Sequence, residues 1–300
     1  MKRKIAYGII IAMSVAMLGG CGTKEEKVKV TLEEVLSNTA ESIVDIESIE
    51  LDMVGKLDGE LEMEGQKISG KATANLEGVV TTKDPSTHIT ADVEYKADYN
   101  NTSMNGTHKF EIYGEDNQEE GIFYLYGKLD NEEWECETGD LSEYTDSLGE
   151  FNPEEIKDGI EKLQDEKIGK ELKLNDTFKT VNGEKCYLIY ADINMDDILE
   201  MMEEQDVEDL KGFEKIDMSY KIYLNKETYY PVKISVDIEV KGESKEEGMY
   251  IDIKELSLEL NSKINEAKTV EVPSEVRESA NANMSIEDGT QVNISDLLPQ

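Results

Sequence analysis

The chain has 300 residues and a formal net charge of −37, from 68 Asp and Glu against 31 Lys and Arg. That balance argues against nucleic acid as a partner, whose phosphates would be repelled. It argues equally against broad contact with an anionic membrane surface. The acidic exterior reads as a solvated, aggregation-resistant surface, with a cation-collecting role as the alternative.

The first residues are unlike the rest. Lys2, Arg3 and Lys4 are followed by an uncharged apolar run, Ile5 to Met17, and then by Leu18-Gly19-Gly20-Cys21. The run is shorter than the roughly 20 residues of a bilayer-spanning helix. A basic start, a short apolar core and small residues before a cut site read as an export signal. The L-G-G-C ending resembles the bacterial lipobox. The resemblance implies that residues 1–20 are removed and that the Cys21 thiol carries a diacylglycerol. It also implies a lipid-anchored protein on the extracytoplasmic face of the cell membrane. Losing residues 1–20, with three basic residues and no acid, takes the charge from −37 to −40. Two acyl chains give stable attachment where one would be marginal.

Residues 21–30 form a short charged tether. Thr31 to Glu34 then reads T-x-x-E, a capping box. Leu32, Val35, Leu36, Ala40, Ile43 and Val44 recur at helical spacing, so an amphipathic helix is expected over 31–46. From Ile49 the period changes to two. Ile49, Leu51, Met53, Leu57, Leu61 and Met63 alternate with charged residues. Residues 68–80 and 89–99 repeat the pattern, and 107–113, 121–127 and 132–138 continue it. Long strands with one apolar and one polar face, joined by short turns, form an antiparallel meander. Asn152-Pro153-Glu154-Glu155 marks a second helix start, with Ile156, Ile160 and Leu163 on its face. Strands return near 170–181, and Asn182-Gly183 signals a tight hairpin into 186–193. A third helix is expected over 194–211, then strands over 213–224, 230–240 and 249–260. In the last strand the apolar parity changes between Ile253 and Leu256, which predicts a β-bulge near Lys254. Residues 276–300 lose periodicity and read as a loosely ordered tail.

The expected architecture is therefore α+β and β-dominated: an antiparallel sheet of about 11 strands, interrupted by about three helices. Residues 31–275 read as one domain, because no Gly-, Pro- or Ser-rich linker divides them. Cys136 and Cys186 form an even pair in an exported domain, where a disulfide can persist. Two free buried thiols are the alternative.

The order of elements resembles the LolA/LppX-like lipoprotein domains and related Gram-positive surface lipoproteins, across roughly residues 30–275. The segments carrying it are Leu224-Asn225-Lys226-Glu227-Thr228-Tyr229-Tyr230-Pro231-Val232, similar to a strand–turn–strand hairpin of those domains, and Val272-Pro273, similar to their closing segment. The resemblance implies that the sheet is strongly curved into a half-barrel with the helices over its concave face, and that it binds or carries a lipid-like molecule.

The residues themselves bear on that expectation. Gly55, Gly59, Gly70, Ala72, Ala74, Gly78, Ala91 and Ala97 make one face of the first three strands unusually small. Small side chains leave volume above a sheet, and empty apolar volume is costly. Either the 31–46 helix fills it or an acyl chain does. The candidate pocket comprises Met53, Leu57, Ala72, Ala74, Leu76, Ala91, Val93 and Tyr95, with Met201 and Met202 as adaptable apolar surface. No catalytic residue, metal ligand or cofactor site is assigned. His88 and His108 lie in no nucleophile motif, and G-x-S-x-G, H-E-x-x-H, Walker A and G-x-G-x-x-G patterns are absent. The sequence thus points to a non-enzymatic, membrane-anchored lipoprotein with a lipophilic ligand. A surface scaffold with a filled core and an unidentified protein partner is the alternative.

Overall fold

The computed structural model describes residues 26–63, 65–82, 85–100, 102–117, 121–140, 171–201, 212–244 and 248–282. The leader, Cys21, the helix expected over 153–163, and Met202 lie outside the described residues.

Alternation of apolar and charged residues dictates strands, and strands dominate. In chain order they are β1 (Ser48–Met63), β2 (Gln66–Thr81), β3 (Ser86–Tyr99), β4 (Thr102–Asn117), β5 (Ile122–Leu129), β6 (Glu135–Asp140), β7 (Lys173–Leu174), β8 (Lys179–Val181), β9 (Glu184–Asn194), β10 (Phe213–Asn225), β11 (Pro231–Ser244) and β12 (Met249–Ile264). Helices α1 (Leu32–Ile43), α2 (Met195–Met201) and α3 (Ser274–Ala282) interrupt or follow them. All twelve strands join one sheet of order β6-β5-β4-β3-β2-β1-β12-β11-β10-β9-β7, with β8 also on β9. The sheet is antiparallel and does not close, giving a curved half-barrel.

Two meanders build it, one from β1 to β6 and one from β9 to β12. The pairing of β1 with β12, from Ile49↔Ile264 to Met63↔Met249, joins them. Here the predicted bulge is found: Asp58 pairs with Glu255 and Gly59 with Ile253, leaving Lys254 unpaired. The extra residue lets both halves of β12 send their apolar side chains to the same face. One apolar rung then runs across ten strands: Leu174, Ile189, Ile222, Ile234, Leu260, Met53, Leu76, Ala91, Phe110 and Leu129. The β8–β9 turn has both Asn182 (φ 52°) and Gly183 (φ 88°) left-handed, as its Asn-Gly sequence predicts.

The polar face is laced by cross-strand ion pairs, among them Lys67–Glu60 (2.5 Å), Lys71–Asp58 (2.5 Å) and Lys109–Asp92 (3.2 Å). Their lysines are exposed, so each pair adds little to stability. Their combined effect is to offset part of the acid crowding on strands that a −37 chain must carry.

Fully buried side chains gather at one end of the sheet. Helix α1 starts at the expected capping box: the Glu34 amide donates to Thr31 Oγ1 at 3.2 Å, and the Thr31 amide donates to Glu34 Oε2 at 2.7 Å. Val35 and Leu36 of α1 pack on Tyr187, Ile189 and Leu224, on the apolar face of β9 and β10. A second core lies on the opposite face of the other flank. There Val272, with Val276 and Ala280 of α3, covers Tyr126, Tyr113, Tyr124, Trp134 and Cys136. Tyr113 and Tyr126 are cross-strand partners, one residue out of phase with the apolar pair Ile112 and Gly127. Arg277 of α3 is ion-paired with Glu115 beside them.

Two expectations are corrected. The stretch expected to begin a loose tail at 276 is instead helical to Ala282. Helix α3 has too few apolar residues to show a stripe, and two of them, Val276 and Ala280, one turn apart, seat it. Cys136 and Cys186 form no disulfide and are free thiols. Cys136 sits in edge strand β6 and Cys186 in β9, with eight strands between those two in the sheet order. A disulfide needs Cβ atoms roughly 4 Å apart. Burial pushes the Cys186 thiol up to about 11, and burial also raises that of Cys136.

Two outcomes follow from this architecture. Lys254→Ala should change stability by less than about 0.5 kcal/mol. Deleting Lys254 should cost more than about 3 kcal/mol, because three apolar side chains on one half of β12 would be turned to the polar face; urea unfolding of both variants checks this. Thiol titration of the chain purified without reductant should find both Cys136 and Cys186 reactive after denaturation, with Cys186 silent before it.

Candidate functional site

On the apolar face the rungs next to the Met53 rung run through smaller residues. One joins Val236, Leu258, Gly55, Ala74 and Val93; the next joins Ile238, Leu256, Leu57, Ala72 and Tyr95. Gly55, Ala72 and Ala74 leave a hollow between the larger side chains of β11 and β12 and Leu57. The result is an apolar depression of about 410 Å³, lined by Gly55, Leu57, Ala72, Ala74, Val236, Ile238, Leu256 and Leu258. Lys56 and Ser257 complete its outline from the alternate positions.

The depression is open. Leu57 is 42 % exposed, Leu256 38 % and Leu258 37 %. Further from the α1 end, Met63, Ile68 and Met104 are also exposed. Val44 apart, these are the large exposed apolar residues among the described ones. In β1, β2 and β3 the fully buried residues are Ser48, Thr81, Ser86 and Thr87, all at the α1 end. Helix α1 therefore fills one end of the apolar face; on β1, β2 and β3 the middle and far end hold no fully buried residue, while on β9 Ala191 and Ile193, on the same rungs as the depression, are buried.

Of the sequence-predicted pocket, Leu57, Ala72 and Ala74 line the depression. Val93 and Tyr95 extend its two rungs onto β3, and Met53, Leu76 and Ala91 form the neighbouring rung. Met201 closes α2. The sequence reading missed Val236, Ile238, Leu256 and Leu258. They read as ordinary strand residues, and only the β1–β12 pairing brings them beside the Gly/Ala floor.

A larger groove of about 610 Å³ lies on the opposite face of the same strands, lined by Glu50, Asp52, Glu77, His88, Lys233, Glu259, Asn261 and Lys263 among others. Its charges largely satisfy one another: Lys263 meets Glu50 at 2.9 Å and Lys233 meets Glu259 at 2.7 Å. Lys233 holds the Glu259 carboxyl below the usual carboxylate range. His88 stacks on Tyr113 with centroids 4.1 Å apart and contacts Glu111 at 3.1 Å. His108 stacks on Tyr95 and contacts Asp130 at 2.9 Å. Among the described residues, no three His, Cys, Asp or Glu side chains gather as a metal-binding group.

Fold and site together define an open antiparallel half-barrel with an apolar floor. The chain belongs to DUF6612, a family of unknown function, whose model matches residues 31–281. No curated protein matches it. Among solved structures it is similar to LprF from Mycobacterium bovis, at 8 % identity and a TM-score of 0.36, over 80 % of this chain and 96 % of that one. It is also similar to a DUF1329 family protein from Desulfovibrio piger ATCC 29098, at 10 % identity and a TM-score of 0.22, over 79 % and 95 % of the two chains. A third is a beta-barrel-like protein of the domain of unknown function DUF1849 from Brucella abortus, at 10 % identity and a TM-score of 0.20, over 72 % and 98 %.

The floor gives a direct test. A Cβ built on Gly55 meets only Ala74 Cβ and Ser257 O, both at 4.0 Å, which is ordinary contact. At Gly70 the same atom would come within 2.8 Å of the Lys96 carbonyl oxygen. Gly55→Val should therefore raise stability by about 0.5–1 kcal/mol, through the lower conformational entropy lost on folding. Gly70→Val should lower it; thermal and urea unfolding of the pair distinguish the two sites.

Proposed function

We propose that this chain is a non-catalytic, membrane-anchored lipoprotein that binds a lipophilic ligand, of the fatty acyl class, on the apolar floor of its half-barrel. The observation that carries the reading is the depression between β2, β1, β12 and β11, walled by aliphatic side chains and floored by Gly55, Ala72 and Ala74. Its volume falls in the range of small-molecule sites, about 300–1,000 Å³. Among the described residues its wall is aliphatic, with Lys56 and Ser257 only at the alternate positions of its outline, so selectivity rests on aliphatic area, at about 0.8 kcal/mol per buried methylene. The exposure of Leu57, Leu256 and Leu258 supports an occupant, since apolar side chains clustered in the open mark binding surfaces.

The anchor is the second part of the proposal. Leu18-Gly19-Gly20-Cys21 behind an apolar core supports lipidation of Cys21 and an extracytoplasmic location. The ligand would then be one available at the cell surface.

Native mass spectrometry of residues 22–300, purified without detergent, tests the ligand. The expected result is an extra mass that organic solvent removes and that fragments as a lipid. Gly55→Phe, which places a ring in the depression, should lose that mass while keeping the circular dichroism spectrum and an unfolding midpoint no lower than that of the parent chain. A clean mass that stays clean after incubation with membrane lipids would sink the carrier reading in favour of a surface scaffold with a protein partner.

A further inference from the structure

The chain is fastened well before α1 begins. The Glu26 carboxylate receives Lys185 Nζ at 2.6 Å on one oxygen and Lys226 Nζ at 2.6 Å on the other. The Phe178 amide donates to the Glu26 carbonyl at 3.2 Å, and the Val28 amide donates to the Asp176 carbonyl at 2.9 Å. Lys27 bridges to Thr177 as an extra strand pair. Val28 and Val30 pack on the α1 core, and Lys226 sits 4.6 Å over the Phe178 ring. The two lysines hold the Glu26 carboxyl down at about 2, so the clasp stays charged at every physiological pH.

This clasp sits at one end of the sheet. Leu188 shares a rung with Tyr223, Lys233, Asn261 and Asp52. Lys185 lies three residues beyond Leu188, toward the β8–β9 turn. The depression lies the other way: Ala191 and Ile193 of β9 share its rungs. Lys185 is thus six to eight residues from those rungs, about 20–26 Å along the strands.

We infer that this end of the half-barrel, formed by the β8–β9 turn, the β10–β11 turn and residues 26–30, is the surface apposed to the bilayer, with the apolar depression standing further out along the strands. The inference rests on the proposed anchor at Cys21. Four residues lie between Cys21 and Glu26, and even fully extended the five Cα–Cα steps from one to the other span roughly 17 Å. A tether so short keeps the clasp end within roughly 17 Å of the bilayer surface for as long as the clasp stays closed. Charge agrees. Residues 26–30, 175–187 and 223–230, which meet here, carry five lysines against four acids in a chain of net charge −37. These three segments are therefore spared the repulsion that keeps most of the surface from anionic headgroups.

Spin labels test the orientation on the full lipidated chain in phosphatidylcholine/phosphatidylglycerol vesicles doped with a nickel-chelating lipid. One label goes at Thr180→Cys beside the clasp. The other goes at Glu62→Cys, ten rungs beyond Asp52, each in a Cys136→Ser background; both positions are exposed. Paramagnetic relaxation by the headgroup nickel should be on the order of tenfold stronger at 180 than at 62, given the ~17 Å tether. Adding Lys185→Met and Lys226→Met should shrink that ratio below about twofold as the tether lengthens. Equal relaxation, or stronger relaxation at 62, on vesicle-bound protein overturns the orientation while leaving the anchor standing. A ratio unmoved by the double variant overturns the role of the clasp. Failure of the lipidated chain to float with vesicles overturns the anchor and the orientation together.

Discussion

The pairing of β1 with β12 is the constraint on which the rest depends. Each meander by itself is a sheet with an open edge. Only their union gives a surface wide enough to curve, and only it brings Leu256 and Leu258 beside Gly55 and Leu57. The seam also imposes a condition on sequence. Both meanders must present apolar parity to the same face along sixteen-residue strands, and a single slip inverts half of the face. The unpaired Lys254 meets this condition at the one place where the parity of β12 changes.

From that seam the division of the molecule follows. At one end, α1 closes over the apolar face and makes a compact core with β9 and β10. In the middle, residues too small to fill the space between neighbouring strands leave a hollow floor. On the flank, α3 covers an aromatic shelf on the other face and so shields the strands near the sheet's β6 edge. The ionic lattice of the polar face adds little to stability but lets closely spaced acids sit on neighbouring strands.

Much of this was legible in the residues because period-two alternation is a local signal. The capping box of Thr31 and Glu34, the Asn182-Gly183 turn and the Lys254 bulge each involve a few neighbouring residues whose chemistry permits little else. What was not legible is what depends on strand order. Cys136 and Cys186 look like a pair until the sheet puts them on opposite flanks. Half of the depression comes from strands some 200 residues from the other half, and no local pattern marks Leu256 as the neighbour of Leu57. Helix α3 escaped for a different reason: a helix seated by Val276 and Ala280 has no stripe to display.

The free thiols have a consequence for where such a protein can live. Exported domains without a large core commonly depend on cross-links, and so on an oxidant to install them. Here the described residues hold together by sheet and core alone, and the buried Cys186 carries a thiol too weakly acidic to exchange readily. The folded state should therefore be indifferent to the redox potential around it. Neither described cysteine has to be oxidised for the sheet and its two cores to form.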